Sequence, residues 1–111
     1  MPIVKLATAA FRRPPERLNC AQAILHAHQT VRGCSIAPIA DFKPFGSGLA
    51  PEGECGALYA ACRVAPHAAE SMRAAFVARM GTKLCRDLKA FACQDCVAMA
   101  AELLQHYVPL A

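Results

Sequence analysis

The chain has 111 residues, seven cysteines, no tryptophan and a formal net charge of +4, with 56% of its residues hydrophobic and 18% charged. That length suits one domain with a modest core, and low charge with high apolar content excludes a disordered chain. No uncharged apolar run reaches a spanning helix, and the scattered basic residues form no stripe or aromatic platform, which excludes a membrane span and nucleic-acid binding.

Alanine, the strongest helix former, supplies 24 residues, and glycine and proline punctuate the alanine-rich segments. Period-two β-branched runs are absent, so the chain reads as all-α: a compact bundle of four to five helices with a cysteine-lined core. A single domain over residues 1–111 is expected, with 1–13 as a loosely attached arm. The opening MPIVKLATAAFRRPP has a short apolar patch broken by Lys5, with its arginines after the patch. It makes a poor secretory signal, and a cytoplasmic protein is expected.

The first helix is expected from Pro14-Pro15, where proline suits a first turn, to Arg32, with Gly33 as its stop. Cys20, Ile24, Ala27 and Val31 recur at helical spacing, which places Cys20 on the buried stripe. Ser35 to Phe42 reads as a short helix before Pro44, and the glycine-rich stretch 45–54 as a loop. A second long helix starts at Glu54 or Cys55 and ends before Pro66, with Cys55, Leu58, Tyr59 and Cys62 on one face. A third covers Ala68 to Met80, where Gly81 caps the end and Thr82 caps the next start. Lys83 to Ala90 is then expected to be helical, with Cys85 in its first turn. The last helix, Ala92 to Tyr107, is the most clearly amphipathic, with Cys93, Cys96, Val97, Ala100, Leu103, Leu104 and Tyr107 as its stripe.

In a reducing cytosol, cysteine spacing points to metal binding or catalysis more than to a disulfide framework, and an odd count argues further against full pairing. Cys55, Cys85 and Cys93 fall at helix starts, where partial positive charge and free N–H donors favour thiolate. Lys83 and Arg86 push Cys85 the same way, and Cys20 can meet these sulfurs across the core. Four thiolates from four helix positions suit zinc or an iron–sulfur cluster. Cys93-Gln-Asp-Cys96 is the one C-x-x-C, its sulfurs on one helical face, able to reach one metal or form one reversible disulfide. No histidine follows it, so covalent haem attachment through C-x-x-C-H is excluded. His26, His28, His67 and His106 have no helical pairing that would chelate a metal and read as non-functional. Cys34 lies in a loop outside any motif, and Cys62 reads as packing.

Asn19-Cys20-Ala-Gln-Ala, Cys55-Gly56-Ala57 after a glycine-rich loop, Cys85-Arg86-Asp87-Leu88, and Cys93-x-x-x-Val97 followed by Ala100-Ala101-Glu102-Leu103-Leu104 resemble the C_GCAxxG_C_C family. The resemblance spans about Leu18 to Leu104 and rests on the order and spacing of four motifs. The family comprises small redox-active proteins and is similar to a domain of split-Soret cytochromes c. It implies an iron–sulfur centre with Cys20, Cys55, Cys85 and Cys93 as ligands. Two positions depart from the pattern: Ala60 stands where the family usually has glycine, and Cys96 where an aromatic residue is expected. Cys96 thus joins the cofactor-binding set as a fifth thiol, and either Cys93 or Cys96 could complete the ligands.

The expected function is a redox-active, iron–sulfur protein for electron transfer or redox sensing, with an electron-transfer partner that the sequence does not name. One alternative is a cluster-free thiol–disulfide oxidoreductase using Cys93, Cys96 and Cys85. Another is a protein that binds zinc or a different soft metal. A homodimer would add buried surface to a small alanine-rich core.

Overall fold

The computed structural model describes residues 2–33, 35–46, 48–88 and 91–108. Five α-helices run through them: α1 (Pro2–Ala10), α2 (Cys20–Arg32), α3 (Gly56–Val64), α4 (Ala69–Met80) and α5 (Cys93–Tyr107). Short 3-10 helices at Ile39–Phe45, Pro51–Gly53, Pro66–Ala68 and Cys85–Asp87 lie between them, and the described residues contain isolated β-bridges but no strand. The result is an all-α bundle with a Cα radius of gyration of 12.3 Å. None of these helices is long and apolar enough to cross a membrane.

Residues 2–10, expected as a loose arm, form a docked helix instead. Ile3 and Ala7 sit one turn apart and are fully buried, while Lys5 between them stays on the exposed side. The Ile3 N–H donates to Gln105 Oε1 on α5 at 3.1 Å, which satisfies one of the free donors of the helix start. α1 packs against both α2 and α5.

The second correction concerns where α2 begins. Asn19, rather than Pro14-Pro15, opens it through a reciprocal capping box. Gln22 N–H donates to Asn19 Oδ1 at 2.9 Å, and Asn19 N–H donates to Gln22 Oε1 at 3.1 Å. Cys20 is therefore the first helical residue and half-buried, not a mid-stripe core position. Residues 11–18 close into a loop through Arg12 N–H to Leu18 O and Arg17 N–H to Arg13 O, both 2.8 Å. At the other end Gly33 adopts the left-handed conformation expected of a helix stop, with φ 67°.

α3, α4 and α5 fall close to the expected spans, and Gly81 ends α4 with φ 89°. The expected helix over 83–90 reduces to the turn Cys85–Asp87, with residues 89 and 90 outside the described set. The cause is tertiary. Cys55 N–H donates to Lys83 O at 2.7 Å, and Glu54 forms an antiparallel bridge with Leu84. Backbone groups that a helix would use are spent on the start of α3. Likewise, the short helix expected over 35–42 appears as the 3-10 segment Ile39–Phe45, which contains Pro44, a residue with no N–H to continue an α-helix.

Few side chains fill the core, and alanines bring the helices close. Phe76, Ile24, Leu25, Leu58, Met72, Val97, Leu103 and Leu104 are its largest members besides Ile3. Around them Ala21, Ala23, Ala27, Ala57, Ala60, Ala61, Ala100 and Ala101 are fully buried. The helix starts of α2, α3 and α5 and the Cys85 turn meet at one end of this packing, and the cysteines gather there.

Candidate functional site

One cavity of about 420 Å³ is lined by Cys20, Cys55, Cys85, Cys93 and Cys96 together. These five thiols come from four separate segments: the first residues of α2 and α5, the residue before α3, the turn at 85–87, and one helical turn into α5. Cys62 stands apart, buried under α4 with its thiol 3.7 Å from Ala69 O. Burial pushes that thiol up to about 11, so it stays protonated and inert. Cys34 lies outside the described residues.

The local sequence explains how each sulfur arrives. The Asn19 capping box fixes Cys20 at the α2 start, and Asn19 Nδ2 also donates to Lys43 O at 2.8 Å. Gly56 then lets α3 approach that thiol. A Cβ there would sit 2.7 Å from Cys20 Sγ and would collide with the Phe45 carbonyl oxygen. Glycine is required at this point by close approach and not by its dihedral angles. Gly48, with φ 78°, lies against Cys85, its absent Cβ 3.6 Å from that Sγ.

A buried strut holds the Cys55 and Cys85 segments to one another. Glu54, 3% exposed, receives two hydrogen bonds from Arg73 of α4, Nε to Oε2 at 2.7 Å and Nη2 to Oε1 at 3.0 Å. This fork-to-fork pairing is the strongest geometry available to a guanidinium and a carboxylate. It anchors the residue whose neighbour is Cys55 and whose backbone pairs with Leu84, one residue before Cys85. Thr82 Oγ1 accepts from Leu84 N–H at 3.1 Å and steadies the same turn, but it is not the expected N-cap, since the Cys85–Asp87 turn starts from Leu84 without a side-chain cap.

The thiols are not electrostatically equivalent. Cys55 and Cys96 are both buried. The interaction of the two thiols draws Cys96 below its ordinary value and pushes Cys55 well above, with burial adding to the rise at Cys55. Cys85 is raised by burial first, then by the sulfurs of Cys55 and Cys93. The lowering expected of helix starts at Cys55 and Cys85 is thus outweighed by desolvation and neighbouring sulfur, and Cys96 is the favoured thiolate. Cys93, expected on the buried stripe, is exposed because it is the first residue of α5.

Apart from Asn19 and Gly56, the remaining lining is apolar or cationic. Phe11, Leu18, Leu88 and Phe91 supply apolar wall, and Arg12, Arg17 and Arg86 supply charge, with no acidic residue among the lining. Arg12 and Arg17 have φ of 57° and 51°, a left-handed backbone that costs a non-glycine residue on the order of 1 kcal/mol. No ion pair among the described residues engages either, whereas the exposed Arg86 lies 3.8 Å from Asp87. Arg12 and Arg17 escape a reading by motif, since their place in the lining depends on the hydrogen bonds that fold the 11–18 loop. The Asn19-x-x-Gln22 box, by contrast, is a local signal that fixes the α2 start.

Among the described residues, no group of three or more His, Cys, Asp or Glu is arranged to hold a single metal ion. His28 is buried on α2, and its Nδ1 has no hydrogen-bond partner. No family model matches the chain, and neither a curated protein nor a solved structure matches it.

Proposed function

We propose that the chain is a redox-active protein whose cysteine cavity holds an iron–sulfur cluster for electron transfer or redox sensing. The observation that carries this reading is the meeting of Cys20, Cys55, Cys85, Cys93 and Cys96 around one cavity from four chain segments. Cys20, Cys55 and Cys85 would each supply one thiolate, and Cys93 or Cys96 the fourth. The resemblance to the C_GCAxxG_C_C family supports the same set.

The donor chemistry fits. Thiolates are the ligands of iron–sulfur clusters, and four of them are spread over two irons in a [2Fe–2S] cluster or four irons in a [4Fe–4S] cluster, so the four sulfurs need not converge on one atom. A mononuclear zinc site asks for that convergence, with each sulfur about 2.3 Å from the ion. The cluster would supply one-electron redox chemistry. The chain's own residues set the conditions for it. Leu18, Leu88 and Phe91 keep water from the sulfurs, while Arg12, Arg17 and Arg86 offset negative charge gathered in the cavity. Loading would also tie α2, α3 and α5 together and so stabilise a core built largely of alanine. A reducing cytoplasm would keep the thiols available, and an electron-transfer partner or a second copy of the chain would meet the exposed mouth.

A second reading, thiol–disulfide exchange without a metal, is favoured by exposed Cys93 lying one turn from Cys96, whose thiolate is stabilised. Anaerobic reconstitution with iron and sulfide separates the two. The cluster reading predicts visible charge-transfer absorption with bound iron and sulfide. A colourless chain that retains neither would sink it, and a two-electron couple in metal-free protein would then favour the second reading.

A further inference from the structure

The cavity that gathers the cysteines carries a second chemistry at its mouth. Cys55, Cys96 and Leu88 are buried and form its floor, whereas Arg12, Arg17 and Phe91 are exposed and form its rim. The 11–18 loop builds most of that rim. Phe11 and Leu18 pair as a parallel bridge, and the bond from Arg12 N–H to Leu18 O sets Arg12 beside the residue that follows Arg17. Both arginines adopt left-handed backbone, φ 57° and 51°, which residues with a side chain seldom take. Strained positions of this kind cluster where a ligand is clamped. The Arg12 guanidinium lies over the Phe11 ring, its Cζ 4.7 Å from the ring centroid, so ring and cation line the cavity together.

Charge at the rim is unbalanced. None of the ion pairs among the described residues uses Arg12 or Arg17, and the lining holds no carboxylate. Arg86 adds a third cation, partly offset by Asp87 at 3.8 Å. Small-molecule sites are concave, mostly apolar and fitted with a few convergent polar groups, and this cavity of about 420 Å³ has that character. A guanidinium recognises a carboxylate through two parallel N–H bonds.

We propose that the cavity mouth binds a small organic acid, its carboxylate held by Arg12 and Arg17 and its apolar body laid against Phe11, Leu18 and Phe91. A neutral molecule would leave both cations unused, and an inorganic anion would leave the apolar wall bare. An acid with a short hydrocarbon or ring body satisfies both. Neither arginine is a proposed cluster ligand and no sulfur takes part, so this site stands apart from the iron–sulfur reading.

The experiment uses the full-length, reduced, metal-free chain, with phenylacetate as probe and its neutral counterpart phenylacetamide as control, both followed by backbone amide NMR shifts. The expected result is saturable shifts with the acid, centred on Phe11, Leu18 and Phe91, and affinity for the amide lower by at least about tenfold. Glycine suits the left-handed backbone at both positions, so the double variant Arg12→Gly with Arg17→Gly should stay folded. It should lose at least about tenfold in affinity for the acid and keep its affinity for the amide. No saturable shift with the acid, equal affinity for acid and amide, or a folded double variant that binds the acid like the parent overturns the site. Shifts centred on Leu6 and Ile39, which line a neighbouring cavity of about 600 Å³, overturn its placement. The comparison of acid with amide on the parent decides the charge requirement whatever the variant's stability. Iron and sulfide uptake by the same chain is measured separately and bears on the cluster alone.

Discussion

Gly56 gives a test in which two local effects oppose each other and the structure decides the sign. Gly56 is the first residue of α3, so Gly56→Ala should gain up to about 1 kcal/mol from helix propensity. The added methyl would meet the Phe45 carbonyl oxygen and Cys20 Sγ, the latter at 2.7 Å. The thiol can rotate away. The carbonyl cannot, because it belongs to the 3-10 segment Ile39–Phe45, which is held by the buried Phe42 ring. Overpacking of this kind costs about 1–3 kcal/mol. Set against a gain that is smaller in a first turn, it leaves the variant less stable by roughly 1–2 kcal/mol. For a domain of this size that lowers Tm by roughly 5–10 °C. Thermal denaturation followed by circular dichroism reads the shift, and timed alkylation with peptide mapping reads Cys20, which should react faster once α3 is displaced. A variant as stable as the parent, with unchanged Cys20 reactivity, would refute the close approach on which the site is built.

Three further outcomes follow from other contacts. Arg73→Met strands the carboxylate of Glu54 and should destabilise by about 2–3 kcal/mol, below the full cost of breaking a buried pair because Arg73 is 35% exposed. Adding Glu54→Gln should recover part of that loss, and strictly additive penalties in a double-mutant cycle would contradict the strut. Ile3→Ala should cost about 2–4 kcal/mol by denaturant titration if α1 is part of the core, whereas a loose arm would leave stability unchanged. His28 has its pKa lowered below 6.5 by burial first and by Arg32 second, so acid favours the unfolded chain, which takes up the proton more readily. Its contribution is intact above pH 6.5 and falls as pH drops from there to the folded-state pKa, below which the loss stops growing. Comparing Tm against pH for His28→Gln and the parent should show a smaller drop in the variant across that window, and parallel curves would contradict this assignment.

The sequence made some parts of the molecule legible because their determinants are local. Gly81 and Gly33 stop helices by adopting left-handed backbone, and the apolar stripe through Val97, Ala100, Leu103 and Leu104 places α5 against the core. The cysteine spacing names five sulfurs, and all five line one cavity. Other parts depend on contacts distant in the chain. Nothing near Lys83 announces that its carbonyl will accept from Cys55, and that bond turns an expected helix into a single turn. The apolar face of α1 amounts to Ile3 and Ala7, too short a pattern to separate a docked helix from an arm until Gln105 is seen to receive it. Thiol acidity is harder still to read from sequence. Helix starts argued for Cys55 and Cys85 as thiolates, but burial and adjacent sulfur shift that role to Cys96.

The central claim is that the cavity cysteines act as one cofactor site while Cys62 does not belong to it. Iron and sulfide bound per chain after anaerobic reconstitution, measured across single serine variants, tests this directly. The account predicts parent-like loading in Cys62→Ser and loss of most of it in Cys20→Ser, Cys55→Ser and Cys85→Ser. Equal loading in all four variants, or no iron and sulfide in the parent chain, would contradict it.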